Sequence, residues 1–113
     1  MIERPAELAL VLTTVPDAAT AQRVGGQLVE ERLIACASVL PGVTSIYRWQ
    51  GEVETAAEVI VLMKTPPERV DALIRRCAEL HPYDVPEIIA LPVAAGLEAY
   101  CRWAAEETAE VTA

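Results

Sequence analysis

The chain predicts an α+β fold of the ferredoxin-like type, βαββαβ, with a long hairpin between its second and third strands and an added C-terminal helix. Three observations predict it. Four apolar runs have strand character, and two segments between them repeat apolar residues at helical spacing. The second and third runs are joined by no more than a tight turn, whereas helical segments separate the others. The resulting order, strand-helix-strand-strand-helix-strand, is that of the split β-α-β arrangement. At 113 residues the chain makes one domain, 1–113, with an ordered core from about residue 6 to 108.

Ala6 to Thr14 (AELALVLTT) is apolar nearly throughout, as a central strand must be. Pro16-Asp17 interrupts it, and Asp17 is a suitable N-cap for a helix beginning at Ala18. Ala18, Ala21, Val24, Gly25, Leu28 and Val29 recur at helical spacing to about Arg32. Gly25-Gly26 weakens that helix by about 1 kcal/mol per glycine, which points to close packing against a neighbour. Ile34 to Arg48 reads as the second strand, dented at Pro41-Gly42 by a bulge or bend. Trp49-Gln50-Gly51 reverses the chain into a third strand, Glu52 to Lys64, which ends in Val59-Ile60-Val61-Leu62-Met63. Thr65-Pro66-Pro67-Glu68 starts the second helix, with Thr65 as N-cap, Pro66 first in the helix and Glu68 closing a capping box. The buried stripe of that helix is Val70, Leu73, Ile74, Cys77 and Leu80. Glu87 to Val93 is the fourth strand, and a last helix from about Gly96 to Glu107 packs through Leu97, Tyr100, Cys101 and Ala104.

Strand length argues for assembly. A third strand of about 13 residues is roughly 43 Å long at about 3.3 Å per residue. A compact domain of this size has a radius of gyration of about 13 Å, hence a diameter of roughly 35 Å. The hairpin should overhang its own domain, and unpaired backbone on an apolar overhang is costly. A homo-oligomer with edge strands joined between protomers is the expected result.

Hydrophobic residues make up 53% of the chain and charged ones 23%, a balance that excludes a disordered polymer. No apolar run approaches the roughly 18 residues that a membrane helix needs. Met1-Ile2-Glu3-Arg4-Pro5 has no basic region ahead of an apolar segment, so no signal peptide is expected and the compartment is read as cytoplasmic. A formal charge of -8 repels a phosphate backbone and argues against nucleic acid as a partner. Cys36, Cys77 and Cys101 are widely spaced with no C-x-x-C, which reads as reduced thiols packed as small hydrophobes.

Signatures of catalysis are absent from the sequence. There is no G-x-S-x-G, Walker loop or G-x-G-x-x-G, and Ser38 and Ser45 have no histidine at matched spacing, so an enzyme is not expected. The only histidine, His81, opens the stretch His81-Pro82-Tyr83-Asp84-Val85-Pro86-Glu87, which two prolines stiffen. With Glu87 it could ligate copper, zinc or nickel. It could equally cap the end of the second helix, the role that spacing alone favours. Lys64, the only lysine, could hold an anionic ligand or pair with Glu87 or Asp84. Tyr47 and Trp49, two apart near the hairpin tip, share one face and either plug a neighbouring subunit or line a pocket.

Glu30-Glu31-Arg32-Leu33-Ile34-Ala35-Cys36-Ala37, Ser45-Ile46-Tyr47-Arg48-Trp49-Gln50-Gly51, Lys64-Thr65, His81-Pro82-Tyr83 and Pro86-Glu87-Ile88-Ile89-Ala90-Leu91-Pro92 occur in that order along the chain, and Tyr100 and Trp103 close the series. Together they resemble the CutA family, the divalent-cation tolerance proteins, from about Leu8 to Glu107. The resemblance implies a PII-like homotrimer with hairpins laced between subunits and a role in the response to metal ions, copper among them. It also implies an intersubunit cleft lined by Tyr47, Trp49, Lys64, His81, Tyr83 and Glu87. The chain departs from the family pattern at Ser38, where asparagine is frequent, and at Thr13 or Thr14, where some members carry a cysteine implicated in copper binding. It also has Leu80 where some members have a second histidine. Of that soft ligand set only His81 carries over.

The expected function is a non-enzymatic, cytoplasmic, homotrimeric divalent-cation tolerance protein with no obligatory cofactor. Copper(II) or another divalent cation would be held weakly by His81 and Glu87, near a cleft that Tyr47, Trp49, Lys64 and Tyr83 complete. Two alternatives stand beside it. One is a PII-like sensor of a small anionic metabolite, with Lys64 supplying charge and Trp49 stacking; the other is a scaffold trimer that docks a partner protein.

Overall fold

A computed structural model of the chain describes residues 7–110. Ala6, where the first strand is expected to begin, and the Met1–Pro5 segment lie outside the described residues. The elements occur in the expected order: β1 (Ala9–Val15), α1 (Ala18–Glu30), β2 (Cys36–Trp49), β3 (Glu52–Thr65), α2 (Val70–Leu80), β4 (Ile88–Pro92) and α3 (Glu98–Glu107). A 3-10 turn at Pro67–Arg69 leads into α2. The strands form one sheet in the order β2-β3-β1-β4, every neighbouring pair antiparallel, so β2 and β4 are its edges. No described helix is long and apolar enough to cross a membrane.

Alternation along the two central strands decides which side of the sheet is covered. Ala9, Val11, Thr13 and Val15 of β1 and Val59, Val61, Met63 and Thr65 of β3 are buried on one side. Ala21, Val24 and Leu28 of α1, with Leu73 and Cys77 of α2, close over Val11, Val15, Val59, Val61 and Met63. Burying each large aliphatic side chain stabilises the fold by about 1.5–3 kcal/mol relative to exposure. Burial also pushes the Cys77 thiol up to about 11, so it stays protonated and packs as a hydrophobe. A smaller cluster of Leu8, Ala35 and Ala104, joined by Val93 and Cys101, seats α3. Leu97 and Tyr100 remain 64% and 38% exposed, so the expected stripe of α3 contracts to Cys101 and Ala104.

Helix ends are closed by chemistry that only partly lies within each helix. The Asp17 side chain accepts from the Thr20 amide at 2.8 Å, as an N-cap should. At the other end of α1, the Leu33 amide donates to the Leu28 carbonyl and the Arg32 amide to the Val29 carbonyl, each at 3.0 Å. That pair is a Schellman closure, with Arg32 at φ 60 in a seat usually given to glycine. The Arg32 guanidinium donates to the Glu107 carbonyl at 3.2 Å, and Arg69 Nε donates to the Thr108 carbonyl at 2.9 Å. Two cations from other elements thus face the negative end of α3, whose own last turn has no basic residue. Arg23 serves α2 likewise, donating to the Leu80 carbonyl at 3.3 Å.

The capping box expected at Thr65 does not form. Its hydroxyl donates across to the Leu33 carbonyl at 2.7 Å, and Pro66 takes the extended position before the 3-10 turn. Thr65 is fully buried at the end of β3, where a hydroxyl must find a partner inside the protein.

The hairpin leaves its own domain. β1 accompanies β3 only from Thr65 back to Val59, and from Glu58 to Glu52 β3 has β2 alone beside it. The structure extends 49 × 38 × 21 Å with a radius of gyration of 15.2 Å, beyond the about 13 Å of a compact chain of this length. Gln50 at φ 49 and Gly51 at φ 84 make the tip, two successive left-handed residues that match the strand twist. A bulge between Leu40 and Val43, with Gly42 at φ 77, inserts one residue into β2. Before it, Cys36, Ser38 and Leu40 pair with Lys64, Leu62 and Ile60 on the side away from the helices. After it, that side carries Val43, Ser45, Tyr47 and Trp49, so the inserted residue is what brings both aromatics onto the open side. A Cβ on Gly25 would sit 3.3 Å from Ala37 Cβ, which is the close approach of α1 to β2 that the glycine pair suggests.

Candidate functional site

The segment after α2 is fixed through one imidazole. His81 ends the helix with an extended backbone, φ -77 and ψ 139, as the proline after it requires. Its Nδ1 accepts the Tyr83 amide at 3.1 Å and its Nε2 lies 2.9 Å from the Thr14 carbonyl oxygen. A ring nitrogen that accepts from an amide carries no proton, so the ring is neutral and its Nε2–H donates to Thr14. Burial, the largest influence, lowers the His81 pKa, while the Thr14 carbonyl and the Glu58 charge oppose it. His81 thus occupies the C-cap position of α2, but its ring is neutral and bonds the Thr14 carbonyl and the Tyr83 amide, not a carbonyl of the helix, so the expected cation at the helix dipole does not form.

Tyr83 carries the link further. Its ring meets that of His81 at a centroid distance of 4.9 Å, and its hydroxyl donates to Glu58 Oε2 at 2.8 Å. Glu58 is the first residue of β3 beyond the reach of β1, so this bond clasps the segment to the root of the overhanging ribbon. Burial and the Glu58 carboxylate push the Tyr83 hydroxyl up to about 12, with Tyr47 near enough to add to the rise. His81, Tyr83, Tyr47 and Glu58 thus gather at one place. The sequence alone does not single out Glu58, because strand alternation marks it only as an outward polar position, like Glu52 and Glu54 on the same side.

The other expected cleft residues lie elsewhere in a single chain. Trp49 sits at the ribbon tip, 52% exposed. Lys64 lies towards the opposite end of β3, across from Cys36, and donates from Nζ to Ser38 Oγ at 2.6 Å. It pairs with neither Glu87 nor Asp84. Glu87 is exposed just before β4, and among the described residues no hydrogen bond or ion pair joins it to His81. No three His, Cys, Asp or Glu side chains gather among the described residues into a set that could hold a metal ion. His81 could take an ion only by giving up one of its two hydrogen bonds, so one chain does not furnish a closed metal centre. Thr13 faces the core, and Thr14 contributes its backbone carbonyl to His81.

Residues 9–107 match the family model described as CutA1 divalent ion tolerance protein. The chain is 50% identical over 99 residues to the divalent-cation tolerance protein CutA of Thermus thermophilus, covering 88% of this chain and 96% of that one. It is 41% identical over 104 residues to the protein of the same name from Pectobacterium atrosepticum, covering 91% and 94%. The crystal structure of CutA from Xylella fastidiosa superposes with a TM-score of 0.90 at 43% identity, covering 92% of this chain and 100% of that one.

Proposed function

Because the chain belongs to the CutA1 divalent ion tolerance family, we propose that it acts in the response to divalent metal ions as a non-enzymatic homotrimer. The observation that carries the assembly is the ribbon from Val43 to Glu58, which extends past β1 with no further strand paired to either edge among the described residues. Its Ile46 and Val53 are 70% and 64% exposed. Apolar side chains over unpaired strand edges are unfavourable in a lone molecule and are relieved by neighbouring copies. In this reading Tyr47, Trp49 and Tyr83 line a cleft between copies, and Lys64 and Glu87 reach it from other parts of the trimer. The free thiols of Cys36, Cys77 and Cys101 accord with a reducing compartment such as the cytoplasm.

Metal contact in this reading is weak. His81 supplies the imidazole, Glu87 and the nearby Glu58 supply carboxylates, and a neighbouring chain supplies the remaining donors. The weakness comes from competition, since an ion on Nδ1 must displace the Tyr83 amide. Two measurements test the proposal. Sedimentation at micromolar concentration should give a trimer, and a folded monomer would remove the intersubunit cleft. Calorimetric titration with copper(II) should give heat that His81→Ala reduces; equal heats from parent and variant would remove His81 from the site.

A further inference from the structure

On the open side of the sheet Leu10, Leu12, Leu62, Ile89 and Leu91 lie together by register. Lys64 stands among them, opposite Leu10 of β1 and Cys36 of β2. Its ammonium group belongs to a half-buried residue, donates to Ser38 Oγ at 2.6 Å, and meets no carboxylate among the described residues. Cys36, two positions before Ser38 on the same side, has its Sγ 3.2 Å from the Tyr100 hydroxyl. That contact, then burial, push the Tyr100 hydroxyl up to about 12, so it keeps its proton at neutral pH. The polar groups collected here are an ammonium with protons to spare, two hydroxyls and a thiol. Every one can donate, and the set contains no negative charge.

A partly desolvated ammonium without a counter-charge is unfavourable, and an oxyanion is the group that relieves it while also accepting from hydroxyls. We propose that Lys64, Ser38 and Tyr100 form a binding site for a small oxyanion, a phosphate or carboxylate, on the open side of the sheet. The site uses neither His81 nor Glu58, although Lys64 is also among the residues that the proposed trimer brings to the intersubunit cleft. Trp49 takes no part in it within one chain, because that residue lies at the far end of the hairpin.

Trp103 is a built-in reporter, its ring packed at a 38° tilt to that of Tyr100 with a centroid distance of 5.6 Å. Trp49→Phe removes the other tryptophan of the chain. The full-length Trp49→Phe protein is titrated with inorganic phosphate and with succinate, against potassium chloride at matched ionic strength. A saturable change in Trp103 emission with at least one oxyanion is expected. Lys64→Met should weaken it by at least about tenfold, and Ser38→Ala and Tyr100→Phe by a few fold each, in variants shown by circular dichroism to be folded. If Lys64→Met does not fold, the Ser38 and Tyr100 variants decide. No saturable response, a response that chloride reproduces, or affinities unchanged by the substitutions would each overturn the site. Loss of the assembled state in Lys64→Met, with neither oxyanion bound by the parent, would assign the ammonium to a neighbour's carboxylate and overturn it as well.

Discussion

Tyr83 is bound from both ends: its hydroxyl donates to Glu58 Oε2 at 2.8 Å, and its amide donates to His81 Nδ1 at 3.1 Å. Through this one residue the end of α2 and the root of the ribbon are joined, although no strand pairing connects them.

Tyr83→Phe deletes the clasp and leaves the amide bond in place. A hydrogen bond to a carboxylate at a half-exposed position contributes about 1 kcal/mol. Amide exchange should quicken at residues 82–87 and at the nearby end of the ribbon, more than in α1. Exchange equal to the parent in both segments would show that the bond does not couple them.

Stability should depend on pH through His81. Its folded pKa lies below the ordinary 6.5 because the ring is buried. The unfolded chain therefore takes up the proton first, so the contribution is complete above 6.5 and is lost as pH falls towards the folded value. Glu31 acts in the same sense at lower pH: the Arg76 hydrogen bond, with that of Gln27, holds its carboxyl at about 2 against an ordinary 4.5. Denaturation midpoints of His81→Gln should lose the slope that sets in just below pH 6.5 and keep the Glu31 slope at lower pH. An unaltered upper slope would assign that loss to another group.

Thr13 is fully buried and its Oγ1 has no hydrogen-bond partner among the described residues. Thr13→Val keeps the shape and removes the orphaned hydroxyl, so it should stabilise the protein by about 1 kcal/mol. A loss of stability in denaturant titration would show that the hydroxyl is bonded after all.

Two adjacent glycines should respond in opposite ways. Gly26 is exposed within α1 with open space where a Cβ would go, so Gly26→Ala should stabilise by about 0.5–1 kcal/mol. At Gly25 a Cβ meets Ala37 Cβ at 3.3 Å, and the displacement needed offsets the gain in helix propensity. Equal effects at the two sites would refute the tight α1–β2 contact.

Arg32 combines an unfavourable backbone with a useful side chain. Arg32→Ala loses the bond to Glu107 and keeps the left-handed strain, whereas Arg32→Gly loses the bond and relieves the strain. The glycine variant should therefore exceed the alanine variant by about 1 kcal/mol in unfolding free energy.

Much of this architecture is legible in the chain because local pattern and tertiary demand agree. The Asp17 cap, the dent at Pro41-Gly42 and the Gln50-Gly51 reversal are each decided within a few residues, and each is found where its chemistry places it. Thr65 fails as a cap because its hydroxyl has a distant claimant, the Leu33 carbonyl, that no window around Thr-Pro-Pro-Glu contains. Glu58 and Ser38 are missed for a related reason. Their partners, Tyr83 and Lys64, lie 25 and 26 positions away, and alternation fixes the side of a strand without fixing who stands opposite. The position of His81 is readable as a helix end, but the partner of its Nε2, the Thr14 carbonyl, stands 67 positions earlier.

The two outer strands of the sheet, β2 and β4, are unlike each other. Should copies join along them, the contact is directional: each molecule offers one kind of border and receives the other. Repetition of such a step either returns to its starting point or runs on as a fibre, and strand twist of about 20–25° per neighbour is one of the quantities that decides between them. Curvature set by the single inserted residue near Gly42 is then a determinant of whether growth stops.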